Sequence, residues 1–167
     1  MESYTLGLIA QLKGSLNKDR YRCSTVYVDH VSRHSYVYLQ HILFSNETYL
    51  SKKSFEAYSQ QMGIEVQHYH YDNGRFVNNL FQRGLADKGQ SISHCAVNAH
   101  VQNRIAEKRM RDLQDPARKT LIHAQTRWPE AITANLWPYA IRNANNDICM
   151  IADRIAGTSK YEKFAQS

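Results

Sequence analysis

Asp72 and Glu107 are the residues of this chain whose types and spacing best suit chemistry. Asp72 closes a β-rich run, Ile64 to Tyr71 (IEVQHYHY), and is followed by Asn73-Gly74, a strong turn signal. Glu107 stands 35 positions later (107 − 72 = 35), in the first turns of a stretch with helical periodicity. Strand ends and helix starts are rigid supports, so two carboxylates carried this way can converge. Mg²⁺ takes oxygen ligands, usually one or two carboxylates, with waters and substrate phosphates filling the octahedron. Two such ions about 4 Å apart activate the attacking oxygen and stabilise the leaving one in phosphoryl transfer. Spacing alone is a weak signal, because most surface carboxylates only solvate the protein.

The elements that would position this pair can be read from periodicity. Tyr21 to Asp29 and Ser35 to Ile42 are β-rich and flank the turn-like His30-Val31-Ser32-Arg33, which predicts a hairpin. Asn46 can cap a helix running to about Met62, with Gly63 as its stop. In the run Ile64 to Tyr71, strict alternation puts Ile64, Val66, His68 and His70 on one face, predicted to be buried. A short helix near Asn78 to Lys88 stops at Gly89, and Gln90 to Val97 reads as a further strand before a loop near Asn98 to Gln102. Ala106, Met110, Leu113, Ala117, Leu121 and Ala124 then fall at steps of four, three, four, four and three, an apolar stripe on a long helix. Arg104, Lys108, Arg111 and Arg118 make a basic stripe on a neighbouring face, which is either a solvated surface or a track for DNA. Pro129 opens another predicted helix, with a kink expected at Pro138 inside it. The order of elements is that of one α/β domain.

Composition is compatible with a polyanionic partner. Lys and Arg number 21 against 15 Asp and Glu among 167 residues, a net charge of +6. Cys23, Cys95 and Cys149 are odd in number and widely spaced, with no CxxC pair, which points to a reducing intracellular setting. No apolar run approaches the roughly 18 to 20 residues of a membrane span, and Met1 to Leu12 lacks the form of a signal peptide. The chain is expected to be soluble and not secreted.

The residues around the two acids carry a family resemblance. His68-Tyr69-His70-Tyr71-Asp72-Asn73-Gly74-Arg75-Phe76 and Val97-Asn98-Ala99-His100-Val101-Gln102-Asn103-Arg104-Ile105-Ala106-Glu107-Lys108 resemble the two signature blocks of the integrase core of Copia-type LTR retrotransposons, relatives of retroviral integrases. Val28 to Arg33 looks like that family's second-strand ending, and Trp128-Pro129 with Asn135 to Ala140 like its closing helices. Gly157-Thr158-Ser159 and Glu162-Lys163-Phe164 resemble its downstream block, so the likeness covers nearly the whole chain.

The resemblance implies an RNase H-like fold, a mixed central sheet flanked by helices. Residues 1–150 would form the catalytic core, with its first strand truncated, and 151–167 a C-terminal extension. It implies DNA joining: 3′-end processing, then attack of the new 3′-hydroxyl on a target phosphodiester. Mg²⁺ or Mn²⁺ would be the cofactor, and the DNA partners the element ends and the target. A homo-oligomer would assemble on them, in the nucleus or a cytoplasmic retrotransposon particle. The family's site is three acids. Asp72 matches the second and Glu107 the third, while the first is expected about two residues ahead of Met1. Asn73, His100, Asn103, Arg104, Lys108 and Arg111 would position the DNA strands. The alternative is a non-catalytic remnant that keeps the fold as a DNA-binding or protein-interaction domain.

Other residues invite competing roles. Asp29 is an acid near a strand end, but its place before the turn suits a structural role. Arg104 stands where the family usually has Gly, which removes backbone freedom but adds a phosphate ligand. Pro116 interrupts the long helical stripe and predicts a kink or break. His68 and His70 suggest zinc, yet no Cys pair stands at ligand spacing, and packed, hydrogen-bonded histidines are the expectation. His94-Cys95 with His100 has the residue types of a Cys-His nucleophile without a protease-like context. Trp128, Trp137 and Tyr139 are expected in the core.

Overall fold

The computed structural model describes residues 21–42, 44–71, 79–94 and 104–166. Branched and aromatic residues favour extended chain, and the first of them form β1 (Cys23–Val28), paired antiparallel with β2 (Ser35–Gln40) in the register Cys23↔Gln40 to Val28↔Ser35. The turn between them is built on Asp29, 2% exposed. Its Oδ2 accepts from the Val31 and Ser32 backbone N–H groups, at 3.1 and 2.6 Å, and from the Ser32 hydroxyl at 2.6 Å. Arg33 follows with φ of 62°, the left-handed conformation that reverses the chain.

Helix α1 (Ser45–Gln61) leads to β3 (His68–Tyr71), α2 (Asn79–Ala86) and β4 (Ser91–His94), and β4 lies parallel to β3 in the register His68↔Ser91 to Tyr71↔His94. Helix α3 (Arg104–Arg127), a short 3₁₀ turn (Ala134–Leu136), α4 (Trp137–Met150) and α5 (Lys160–Ala165) complete the chain. Among the described residues, antiparallel and parallel ladders are thus both present.

Strand alternation divides the interior in two. Val26 and Val28 on β1, with Val37 and Leu39 on β2, pack against Leu113 and Ala117 of α3 and Ala140, Ile141 and Ala144 of α4. Tyr27, between the two valines, points the other way and stacks on Phe55 of α1, ring centroids 4.6 Å apart. It joins Val66, Tyr69, Tyr71, Phe81 and Leu85 in a second cluster between the strands and α1 and α2. Helices therefore cover both faces of the strand layer. Burial of each large side chain contributes roughly 1.5–3 kcal/mol.

Helix α2 approaches α1 closely at Gly84, where a Cβ would collide with the ring of Tyr49. At the other end of the chain α5 is fastened by a capping box, Ser159 and Glu162 exchanging side-chain and backbone hydrogen bonds. Its Phe164 is fully buried and stacks on His34 at 4.7 Å.

Several expectations need correction. Strand β3 begins at His68, and residues 64–67 are irregular, so the alternation changes phase after Val66. Tyr69 and Tyr71 consequently face the core, while His68 and His70 are half-buried, the reverse of the predicted faces. Helix α3 passes through Pro116 without a break. Leu113 and Ala117 anchor the turns on either side of it in the core, which offsets the roughly 3 kcal/mol that proline costs a free helix. Pro129 lies in a turn and opens no helix, and Pro138 sits in the first turn of α4, where its missing N–H breaks no bond, instead of at a kink. Trp128 and Tyr139 are exposed, leaving Trp137 as the core-packed member of the three. Helix α1 starts from Phe44 with no side-chain cap, so Asn46 does not serve as one.

Candidate active site

Strand β3 ends at Tyr71, one residue before Asp72. Asp72 and Asn73 lie outside the described residues, as do Cys95, His100 and Asn103. Because β3 and β4 are parallel and Tyr71 pairs with His94, the two strands finish level with each other, at the residues before 72 and 95. Arg104 is the first residue of α3, in a helical backbone that any residue adopts, so glycine-like freedom is not required there. Glu107 lies in the first turn of α3, exposed to solvent. Lys108 and Arg111 are exposed on the same helix, and so is Arg118, which gives the predicted basic stripe a solvent-facing surface. Glu107 and Arg111 are four apart and neighbours on the helix, yet no ion pair consumes the Glu107 carboxylate among the described residues.

An exposed carboxylate with no hydrogen-bonded partner among the described residues is the kind of oxygen donor a hard divalent cation takes, so Glu107 fits Mg²⁺ or Mn²⁺. Among the described residues no three His, Cys, Asp or Glu side chains are grouped to hold a metal, and of the predicted pair Glu107 is the described member. Asp29 is not an alternative ligand, since its carboxylate is buried and spent on the hairpin turn. The histidines of β3 are engaged too. His68 contacts Ser91 and Ser93 hydroxyls through Nδ1 and Nε2 at 2.7 and 2.8 Å, and His70 Nδ1 contacts Ser93 at 2.8 Å. Both rings therefore tie β3 to β4. Burial lowers the pKa of His68, which keeps the ring neutral for these bonds.

Sequence reasoning missed the assembly that holds β3 from beneath. Lys52, 1% exposed, donates from Nζ to Glu56 Oε1 at 2.6 Å and to the Gly84 carbonyl at 3.2 Å. Glu56 also accepts from the Tyr69 hydroxyl at 3.0 Å, Gln90 Nε2 at 2.7 Å and Lys88 Nζ at 3.0 Å. Burial alone would raise the Glu56 pKa, but hydrogen bonds from Lys52 and Gln90 and the Lys52 charge outweigh it and hold the carboxyl below its ordinary range. One carboxylate thus binds α1, β3 and the approach to β4 together, and its partner on β3, Tyr69, stands three residues before Asp72 along the chain. The only trace in the sequence is an i, i+4 Lys-Glu pair, a pattern typical of exposed helix surfaces.

No family model matches the chain, and no curated protein matches it in sequence. Solved structures do match. The HTLV-2 integrase catalytic core domain, in a trimeric form in complex with magnesium, superposes with a TM-score of 0.66 at 19% identity, covering 95% of this chain and 96% of that one. The catalytic core domain of BIV integrase gives 0.67 at 16% identity, over 95% and 92% of the two chains. A chain from the simian T-cell lymphotropic virus intasome, solved in complex with the PP2A regulatory subunit B56 gamma, gives 0.71 at 14% identity, over 99% of this chain and 56% of that one. The chain has the RNase H-like fold, in the form found in retroviral integrase catalytic cores.

Proposed function

We propose that this chain is an integrase catalytic core of the Copia retrotransposon type, in which Asp72 and Glu107 supply two of the three carboxylates that metal-dependent phosphoryl transfer on DNA requires. The observation that carries the reading is the end-to-end match to integrase cores, in a chain whose β3 ends just before Asp72 and whose Glu107 stands exposed in the first turn of α3. The HTLV-2 core was solved with magnesium, in dimeric and trimeric forms, and the simian virus chain in an intasome. By that likeness this chain would take Mg²⁺ or Mn²⁺, assemble as a homo-oligomer, and bind element ends and target DNA.

When bound, the ions supply Lewis-acid stabilisation of the attacking and leaving oxygens. Asp72 and Glu107 would hold them through carboxylate oxygens. Arg104, Lys108 and Arg111 would bind phosphates along the start of α3, with Asn73, His100 and Asn103 orienting the strands. In strand transfer a DNA 3′-hydroxyl oxygen forms a bond to phosphorus, the target P–O3′ bond breaks, and the hydroxyl proton ends on the departing 3′-oxygen. The family resemblance calls for a third carboxylate, and Asp29 is committed elsewhere.

The test is strand transfer on oligonucleotides with Mg²⁺ and with Mn²⁺. It compares the chain, a form extended at its N-terminus by a strand carrying an Asp, and Asp72→Ala and Glu107→Gln in that extended form. Joining is expected in the extended form and a loss of at least about 100-fold in each variant, a barrier change of roughly 2.7 kcal/mol. Joining by the unextended chain would remove the need for an added acid. DNA binding with no joining in any form would favour the non-catalytic, DNA-binding reading.

A further inference from the structure

A cavity of about 970 Å³ opens along α3 and α4, away from the Glu56 assembly, and two arginines line it. Arg109 lies on the inner side of α3, 6% exposed, and Arg33 comes from the β1–β2 turn. Arg109 Nη2 donates to the Arg33 backbone carbonyl at 2.6 Å, which brings the two residues together. The Nη1 atoms of both are buried and have no hydrogen-bond partner among the described residues. Among the described residues neither has a carboxylate at ion-pair distance. Two neighbouring cations with unanswered donors, next to an open cavity, are arranged as the receiving half of an anion site. A guanidinium matches a carboxylate closely in shape, since its planar N–H groups face both oxygens at once.

The rest of the lining narrows the ligand. Ile105, Ala144, Ile148 and Ile151 give the cavity apolar walls, and its volume lies in the range of small-molecule sites. Asp112, Asp115, Asp147 and Asp153 line it as well, and Lys108 and Lys160 leave the total near balance. Four acids would repel a polyanion such as a nucleic acid backbone while tolerating a single negative group held at the arginines.

We propose that this cavity binds a small organic monoanion, a carboxylate on an apolar body, with the carboxylate received by Arg33 and Arg109 and the body lying on the isoleucines. The proposal does not rest on the DNA reading, although Lys108 belongs both to the cavity lining and to the proposed DNA-facing stripe.

Benzoate is a suitable probe, with benzamide as its neutral counterpart, in calorimetric titration and thermal melting at constant ionic strength. Benzoate is expected to bind saturably and raise the Tm by a few degrees near saturation, with no comparable effect of benzamide. Arg109→Met and Arg33→Asn are each expected to weaken benzoate at least about tenfold. Asn accepts the left-handed backbone at position 33, so that variant keeps the test valid if Arg109→Met folds poorly. No saturable binding of benzoate, or equal binding of benzamide, would overturn the proposal. So would inorganic phosphate binding more tightly than benzoate.

Discussion

Lys52 and Arg109 are both cations sunk in the protein, on opposite faces of the strand layer, and they are treated differently. Lys52 has Glu56, the Gly84 carbonyl and the faces of Tyr69 and Phe81, whose centroids lie 5.5 and 6.0 Å from Nζ. Arg109 has one backbone carbonyl, an Nη1 with no partner among the described residues, Asp112 near it but outside ion-pair distance, and Arg33 as a like-charged neighbour. A buried charge that is fully partnered fixes a structure; one that is partly partnered keeps interaction energy in reserve. The face under α1 and α2 is built to hold β3 still, whereas the face under α3 and α4 retains an unfilled demand for negative charge.

The largest test of this contrast is Glu56→Ala. It strands Lys52 in the interior and frees Tyr69, Gln90 and Lys88, so denaturant unfolding should show a loss of about 3–5 kcal/mol. A loss under about 1 kcal/mol would mean that Lys52 reaches water easily and that the contrast is false.

A second test uses pH. His34 lies 4% exposed beside Arg109, with its Nδ1 unpartnered; burial, with Arg109 acting in the same direction against Asp29, lowers its pKa from 6.5 to about 4. The folded protein therefore refuses a proton that the unfolded chain accepts. This contribution is complete above about 6.5 and is lost as pH falls toward 4, by at most about 3 kcal/mol. The Glu56 carboxyl, held below its ordinary 4.5, loses its contribution only at still lower pH. Stability measured from pH 8 to 5 should decline through His34, and His34→Gln should flatten that decline; an unchanged slope would place the titration elsewhere.

The smallest expected effect is that of Arg109→Met on stability. The substitution loses one hydrogen bond to Arg33 but removes an unpaired charge, so unfolding should change by no more than about 1 kcal/mol in either direction. A loss like that of Glu56→Ala would show that Arg109 is fully partnered after all.

The hairpin and α3 were legible in the sequence because each carries its own repeating signal: β-rich runs around a turn, and apolar residues at helical steps. The burial of Arg109 was not read from the sequence, although the spacing allows it. The residue stands three after Ala106 and four before Leu113, in the apolar stripe, although the adjacent Lys108 and Arg111 draw it into a basic run. The histidine face of β3 was misread because alternation predicts orientation only within a continuous strand, and the chain changes phase before His68. The Glu56 assembly left little trace, since residues 32 and 34 positions away, Lys88 and Gln90, complete it. Of the site, the sequence supplied the pair of acids, and the structure describes the Glu107 side.

Gly84 has a consequence for how such a chain drifts over generations. Its missing side chain makes room for the Tyr49 ring, and its carbonyl receives Lys52. Alanine at 84 is sterically compatible only with a smaller or displaced side chain at 49. The two positions should therefore change together or stay fixed together. Gly84 would be constrained across descendants of this sequence by the side chain at 49 and not by any chemistry, for a reason that lies wholly in van der Waals radii.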